Sequence, residues 1–183
     1  MLENYKKTGI AILRPIQYEM LYDAIPKIEN KDKLDALLYT GCRYTELQFL
    51  YKHPEMFKGH TIHMPSFKSE AKHKFRYIRL NKIGIRAVER FLDVDNNLPS
   101  HIAWNENLTR WAKKAGIDSS GISCKFSRRT WECWLVASYP DKFKQITLSQ
   151  GHVERISMEF YLMLPFSDEE VDSIKSYTGG WIQ

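Results

Sequence analysis

Cysteine is scarce in this chain, and long apolar runs are missing from it. The three cysteines, Cys42, Cys124 and Cys133, are odd in number and far apart, which argues against a disulfide framework and a paired-cysteine zinc site. No stretch reaches the roughly 18 apolar residues of a transmembrane helix, and the polar N-terminus lacks a signal-peptide pattern. We therefore expect a soluble, cytoplasmic protein with reduced thiols and no membrane partner.

Residue types that bind metal ions are present, but only in incomplete sets. The segment that starts at Asp93 has the first ligand spacings of a calcium loop, yet Leu98 stands where that loop requires glycine. His60 and His63 alternate along a strand-like run without a third ligand nearby. We expect no metal site and no cofactor.

Positive charge is modest in total but uneven along the chain. The net charge is +5, and residues 66–90 include eight basic residues and two acidic ones, with aromatic residues between them. Basic clusters with aromatic neighbours favour a polyanion such as DNA, although a solvated surface gives the same pattern. The residues that we expect to contact DNA are Lys72, Lys74, Arg76, Arg79 and, farther along the chain, Arg129.

Hydrophobic periodicity predicts a mainly α chain with one small antiparallel β-hairpin, an α+β fold in a single domain. Residues 1–14 are polar and predict a flexible, irregular N-terminal segment. The hairpin is expected at Thr61–Met64 and Phe75–Leu80, with a lysine-rich turn. Helices are expected over 15–26, 34–40, 43–51, 85–92, 105–115 and 125–137; two further segments, 141–148 and 153–162, complete the core, and a capping box at 167–170 opens a last short helix.

The placement of the arginines favours chemistry on a phosphodiester. Arg43 stands at the start of one predicted helix, and Lys125 and Arg128 lie one turn apart at the start of another. Cations at the positive end of a helix favour an external anion, although Arg128 and Arg129 also fit a second interpretation, in which they only flank a buried apolar stripe. Arginine forks bind phosphoryl oxygens, and a tyrosine such as Tyr161 becomes nucleophilic where cations favour its phenolate.

These residues resemble the catalytic domain of the tyrosine recombinase (phage integrase) family. Residues 40–47, Thr-Gly-Cys-Arg-Tyr-Thr-Glu-Leu, are similar to the family's first-arginine box, Thr-Gly-x-Arg-x-x-Glu-Leu. Residues 125–128, Lys-Phe-Ser-Arg, resemble its His-x-x-Arg box with lysine in place of histidine. Residues 148–152, Leu-Ser-Gln-Gly-His, resemble its Leu-Gly-His box with two inserted residues, and Tyr161 follows the histidine at the customary nine.

The resemblance implies a metal-independent DNA strand transferase. Its nucleophile attacks the scissile phosphate and forms a 3′-phosphotyrosyl bond, while Lys68, or Lys72 in reserve, acts as general acid and protonates the departing 5′ oxygen, which leaves as a free hydroxyl. Two arginines hold the phosphoryl oxygens, and Lys125 and His152 complete the cage. The implied catalytic residues are Arg43, Lys68, Lys125, Arg128, His152 and Tyr161.

The resemblance also implies an organisation and a set of partners. The Lys-x-x-Arg form is similar to integrases of archaeal viruses and plasmids, which implies integration of such a genome into a host chromosome. We assign residues 15–164 to the catalytic domain and 165–183 to a tail helix that is able to pack on a neighbouring protomer. The partner is double-stranded DNA at an attachment site in the nucleoid. A full-length form with an N-terminal DNA-clamping domain would be a tetramer on DNA, and this shorter form a monomer or weak oligomer.

Two other functions fit parts of this pattern. A type IB topoisomerase-like enzyme would use the same chemistry to relax supercoiled DNA without site preference. A non-catalytic DNA-binding protein would keep the basic hairpin while its pocket had degenerated. An intact pocket distinguishes the enzymes from the binding protein, and the positions expected in the pocket are basic or suitably replaced here.

Overall fold

The chain folds into helices around two small hairpins. The computed structural model describes residues 3–66, 75–93, 98–151 and 164–182. The elements, in chain order, are strands β1 (Tyr5–Lys7) and β2 (Ile10–Ile12), helices α1 (Pro15–Ala24), α2 (Ile28–Thr40) and α3 (Tyr44–Lys52), strands β3 (Thr61–Pro65) and β4 (Phe75–Arg79), and helices α4 (Lys82–Asp93), α5 (His101–Lys114), α6 (Phe126–Ser138), α7 (Phe143–Gln150) and α8 (Asp168–Thr178). The predicted mainly α fold with a small antiparallel hairpin is confirmed.

Helix α6 is the centre of the molecule. Ten of its residues are buried, including Trp131 and Trp134, whose side chains are fully enclosed. The helix packs against β2, α2, α7 and α8, so other elements of the chain cover it on several sides. The first turn of α6, which includes Arg128, is therefore held in position by the packing of the core.

The N-terminal segment differs from the prediction that it is flexible and irregular. Strands β1 and β2 pair in antiparallel register, Tyr5 with Ile12 and Lys7 with Ile10. Ala11, Ile12 and Leu13 are fully buried. The prediction of an irregular segment was wrong because each strand has only three residues, too few for a clear alternation of apolar and polar positions.

The end of this first hairpin is joined to α6 by two hydrogen bonds. The amide of Leu13 donates to Thr130 Oγ1 at 3.0 Å, and Trp134 Nε1 donates to the Leu13 carbonyl oxygen at 3.0 Å. Both polar backbone groups of a fully buried residue are thereby satisfied. The hairpin consequently belongs to the core of the domain.

The second hairpin confirms the sequence prediction. Strands β3 and β4 pair from Thr61–Arg79 to Pro65–Phe75, and they cover a second, smaller apolar cluster. Residues 67–74, the segment between the strands, lie outside the described residues and include Lys68, Lys72 and Lys74. The buried members of this cluster are Cys42, Leu50, Ile62, Met64, Ile78, Leu80 and Val88.

A buried polar network joins α1, α2 and α4. Tyr18 donates its hydroxyl hydrogen to Asp35 at 2.7 Å, and the Arg90 guanidinium donates to Asp35 and Asp32, each at 2.8 Å. Burial raises the pKa of Asp35 to about 6, although the bonds from Tyr18 and Arg90 oppose that shift. Arg90, one of the basic residues in the segment 66–90, is thus occupied by internal carboxylates.

The C-terminal helix begins at the predicted capping box. Ser167 Oγ accepts from the Glu170 amide at 3.2 Å, and Glu170 accepts from the Ser167 amide at 2.9 Å. Helix α8 packs on α6 of its own chain, and Ile174 and Trp181 are buried there. Packing on a neighbouring protomer is therefore not required to cover this face.

Within the described ranges, no helix has the length and apolar character needed to cross a membrane.

Gly116 and Gly121 have similar φ angles but differ in the space that a side chain would have. Gly121 has φ +81°, and a Cβ there would lie 2.6 Å from the Gly9 carbonyl oxygen and 2.9 Å from the Ala11 amide nitrogen. Gly116 has φ +73° and open space around the same position. We predict that Gly116→Ala destabilises by about 1 kcal/mol and Gly121→Ala by about 3 kcal/mol, since only the latter forces the first hairpin to move. Urea unfolding curves measure both, and equal losses would contradict this packing.

Candidate active site

The first-arginine box forms the junction between α2 and α3. Gly41 ends α2 in the left-handed region, with φ 60°. Arg43 is the N-cap of α3, and its amide donates to Glu46 Oε2 at 2.8 Å. A helix stop followed directly by a helix start fixes the direction of both side chains. This local geometry aims Arg43 and Glu46 at the same point.

The carboxylate of Glu46 binds arginines from three elements. Arg43 donates to Oε1 at 2.7 Å, and Arg76 of β4 makes a two-pronged contact at 2.7 and 2.8 Å. Arg128 of α6 lies 3.9 Å from Oε2. One negative charge therefore faces three positive charges, and we call these four side chains the arginine cluster. Its excess of two positive charges is the electrostatic property expected of an anion site.

Burial and hydrogen bonds alter the protonation of the arginine cluster. Burial would raise the pKa of Glu46, but the hydrogen bonds and charge of Arg76 outweigh it and lower that pKa to about 2. Burial, followed by the charges of Arg76 and Arg43, lowers the pKa of Arg128 to about 10. At neutral pH Glu46 and Arg128 are therefore both charged.

Arg128 is fixed by backbone carbonyls on both sides. Its Nη1 donates to the Gly41 carbonyl oxygen at 2.9 Å, and its Nη2 donates to the Gln150 carbonyl oxygen. The residue is 6% exposed. These bonds join the start of α6 to the ends of α2 and α7, where the first-arginine and Leu-Gly-His boxes lie.

Two glycines permit this close approach. A Cβ at Gly41 would overlap the carboxamide of Gln150, and a Cβ at Gly151 would lie 2.7 Å from Arg76 Cδ. Both glycines have positive φ, which other residues rarely adopt. In the described part of the chain, the buried carboxamide atoms of Gln150 have no hydrogen-bond partner. Unsatisfied buried groups of this kind are rare in stable interiors and concentrate at functional sites.

A cleft of about 500 Å³ opens beside the arginine cluster. Four of its lining residues are cationic, and none of the lining residues is acidic. The first hairpin forms one wall, and the starts of α3 and α6 form others. The lining residues are Thr8, Ile10, Arg43, Tyr44, Thr45, His101, Cys124, Lys125, Arg128 and Arg129.

The structure brings together part of the predicted site. Arg43 and Arg128 meet at Glu46, and Lys125 and Arg129 line the same cleft. Arg79 is exposed on β4. The catalytic candidates Lys68, His152 and Tyr161 and the predicted DNA contacts Lys72 and Lys74 lie outside the described residues. Their roles stay predictions.

The position of Arg76 differs from the expected exposed DNA contact. Its side chain is only 13% exposed, and its guanidinium is occupied by Glu46. The alternation along β4 carries the missed signal, because Arg76 shares the inward face with the buried Ile78. An arginine on the inward face of a strand requires an internal carboxylate.

Sequence reasoning also missed the contributions of Thr8, Ile10 and His101 to the cleft. The Sγ atom of Cys124 contacts Nε2 of His101 on the cleft wall. Among the described residues, no group of three or more side chains is arranged to hold a metal ion. The side chains that line the described cleft include guanidinium, ammonium, hydroxyl, imidazole and thiol groups.

The backbone arrangement has close counterparts among solved structures. The XerA recombinase matches with a TM-score of 0.64 at 18% identity, over 96% of this chain and 66% of that one. The Tn1549 transposon integrase in complex with circular intermediate DNA matches with a TM-score of 0.60 at 17% identity, over 91% of this chain and 66% of that one. This chain has the tyrosine recombinase catalytic-domain fold.

Other comparisons bear on the same conclusion. A variant of the Tn1549 integrase in complex with transposon right end DNA has a TM-score of 0.60 at 16% identity, over 94% of this chain and 66% of that one. No protein-family model matches the chain, and no curated protein matches it. The chain spans 66% of the length of each of these three structures, so the similarity concerns only that part of them.

The low pKa of Glu46 predicts a specific acid sensitivity of this tyrosine recombinase fold. The folded value is about 2 and the ordinary value 4.5, so stabilisation by Glu46 is complete above pH 4.5 and is lost as the pH falls towards 2. We predict that Glu46→Gln destabilises by about 3 kcal/mol at neutral pH, and that this difference from wild type disappears across that window. Urea unfolding at several pH values measures it, with exposed Glu89→Gln as control. A pH-independent difference would contradict the assignment.

The excess charge of the arginine cluster predicts anion binding in this recombinase fold. At constant ionic strength, replacing chloride by sulfate should raise the melting temperature by about 2–4 °C more in wild type than in Arg43→Gln. Arg110→Gln, which changes an exposed arginine on α5, should behave like wild type. The general stabilising effect of sulfate is common to all three proteins. Equal shifts in wild type and Arg43→Gln would argue against an anion site at the cluster.

Proposed function

We propose that this chain is the catalytic domain of a DNA recombinase that cuts and rejoins strands through a 3′-phosphotyrosyl intermediate. The observation that carries the proposal is the meeting of Arg43 and Arg128 at one carboxylate beside a cationic cleft. Arg43 and Arg128 are 85 residues apart in the sequence, and the tyrosine recombinase fold brings them together. The cluster has more guanidinium groups than its one carboxylate neutralises, and such a surplus suits a site that binds a phosphodiester.

The start of α6 supplies the electrostatic argument. Lys125 and Arg128 stand in the first turn, which contains no acidic residue. The macrodipole already makes that end of a helix positive, so these cations are unfavourable there without an anion. The side chain of Arg43 is 45% exposed at the cleft and is placed to donate to a phosphate that enters. The buried Arg128 contributes mainly its charge, since its donors are directed to backbone carbonyls.

In the proposed reaction, Tyr161 is the nucleophile. Its hydroxyl loses its proton to solvent, which the surrounding cations favour, and the phenolate oxygen attacks the scissile phosphorus. The bond from phosphorus to the 5′ oxygen breaks, and Lys68 protonates the departing oxygen. Lys125 and His152 complete the cage around the phosphoryl oxygens. Attack by the 5′ hydroxyl of another strand reverses these steps and rejoins the DNA. No metal ion or nucleotide takes part.

The partner in this proposal is duplex DNA at an attachment site. The two integrase structures with a similar fold are complexes with circular intermediate DNA and with transposon right end DNA, and they support a nucleic-acid substrate. We assign further backbone contacts to Arg79, Arg129 and the lysine-rich turn of the second hairpin. A tetramer on DNA and the integration of viral or plasmid DNA complete the proposal, the latter supported by the Lys-x-x-Arg form at residues 125–128.

A covalent trapping assay tests this function. Nicked duplexes with random sequence are incubated with the protein, so that cleavage near the nick releases a short fragment and traps the enzyme on DNA. We predict an adduct that survives denaturing electrophoresis and is abolished by Tyr161→Phe, because the bond to phosphorus requires the phenolic oxygen. Tyr22→Phe changes a tyrosine of α1 far along the chain from the boxes, and should leave the adduct unchanged.

The same assay has informative alternative outcomes. An undiminished adduct in Tyr161→Phe would exclude this nucleophile, and no adduct with any duplex would contradict the strand-transfer function. Relaxation of supercoiled plasmids without site preference would instead identify a type IB topoisomerase-like activity. Binding of DNA without an adduct or relaxation would support the non-catalytic alternative.

A further inference from the structure

The first hairpin shares the cationic cleft with the arginine cluster. Thr8 and Ile10 line the cleft together with Arg128 and Arg129. The hairpin is also held in place from outside: Lys6 binds Asp118 at 2.8 Å, and the Ala11 amide donates to the Gly121 carbonyl oxygen at 3.0 Å. A cleft wall that is fixed in this way can contact a ligand without the cost of becoming ordered on binding.

The pairing register indicates which lysine faces the cleft. Residues directly opposite each other in an antiparallel pair have side chains on the same face. Lys7 is opposite Ile10, which lines the cleft, whereas Lys6 is opposite the fully buried Ala11 and binds Asp118 and Ser120. Two adjacent lysines therefore have different surroundings, and it is Lys7 that shares a face of the hairpin with the cleft-lining Ile10.

The charges around Lys7 extend the cationic surface of α6. Burial, followed by the positive charge of Arg129, lowers the pKa of Lys7, while Glu132 opposes that shift. Arg129 itself lies 3.8 Å from Glu132. Lys7 and Arg129 are thus close enough to repel each other, and one internal carboxylate is shared between them. An anion bound over this pair would relieve the repulsion.

The tip of the hairpin is a strained two-residue turn. Thr8 has φ 50° and Gly9 has φ 74°, the combination that a tight hairpin requires. A β-branched residue is unfavourable in that region, where glycine or asparagine is usual. The exposed Thr8 hydroxyl lies in the cleft wall and donates to the Lys7 carbonyl oxygen at 2.7 Å. Strained residues of this type cluster at ligand contacts.

We propose that the first hairpin is a DNA-backbone contact of the same cleft, in which Lys7 and Thr8 bind a phosphate that flanks the one held by the arginine cluster. The proposal rests on the proposed function, since its ligand is the same DNA. Lys7 supplies a charge and Thr8 a neutral hydroxyl, so the two contacts differ in their dependence on salt. The hairpin then positions the strand and takes no part in bond breaking.

Binding measurements at several salt concentrations test this contact. A fluorescein-labelled duplex of about 30 base pairs is titrated with protein between about 50 and 200 mM salt, and the affinity is plotted against salt on logarithmic axes. We predict that Lys7→Gln weakens binding roughly fivefold and reduces the slope by about 1, as for the loss of one phosphate contact. Lys6→Gln, the matched control on the other face, should keep the wild-type slope.

A second variant separates a DNA contact from a structural role. Thr8→Gly removes the hydroxyl but suits the left-handed backbone, so it should keep or raise the melting temperature. We predict weaker DNA binding by roughly twofold to threefold with the wild-type salt slope, because a neutral contact releases no counterion. Unchanged affinity and slope in Lys7→Gln, with wild type bound, would overturn this inference alone. Failure of the wild type to bind any duplex would overturn the proposed function and this inference together.

Discussion

The structure of the site depends on one carboxylate shared by three guanidinium groups. Glu46 of α3 binds Arg76 of β4 and Arg43 of its own helix cap, and it lies near Arg128 of α6. Three cations at such distances would repel one another strongly in a dry interior. The carboxylate reduces this repulsion but leaves two charges unbalanced. It therefore joins α3, β4 and α6 and at the same time leaves an excess of positive charge that an external anion would balance.

Buried polar atoms that lack a hydrogen-bond partner in the described chain lie around the same arginine cluster. Gln150 is fully buried with unpaired carboxamide atoms in the described chain, and Nε of Arg76 is also buried without a partner there. A domain selected only for stability would replace such groups, because each costs about 1–3 kcal/mol. They surround the point where Gly41 and Gly151 allow two helix ends to approach Arg128 and Arg76. Backbone that is closely packed around fixed cations is a feature of a preorganised site, whose residues have their positions before a ligand binds.

Local signals in the sequence predicted much of this arrangement. The Thr-Gly-x-Arg box predicted a helix end and a helix start, since caps depend on neighbouring residues. Arg43 and Arg128 lie at the same carboxylate, but this arrangement is long-range, and no local signal in the sequence indicates it. The inward role of Arg76 was missed because its partner, Glu46, lies 30 residues away. The first hairpin was missed because its three-residue strands are too short for a periodic signal.

Helix α6 connects the hairpin wall to the arginine cluster. Its first turn contains Arg128, which binds carbonyls at the ends of α2 and α7. Farther along the helix, Thr130 and Trp134 bind both backbone groups of Leu13, the residue that follows β2. A helix in a close-packed interior moves as a unit, because the side chains around it leave no space for gradual deformation. The relative positions of cleft wall and cations are therefore set by one rigid element, and a ligand that spans both meets a surface that is already assembled.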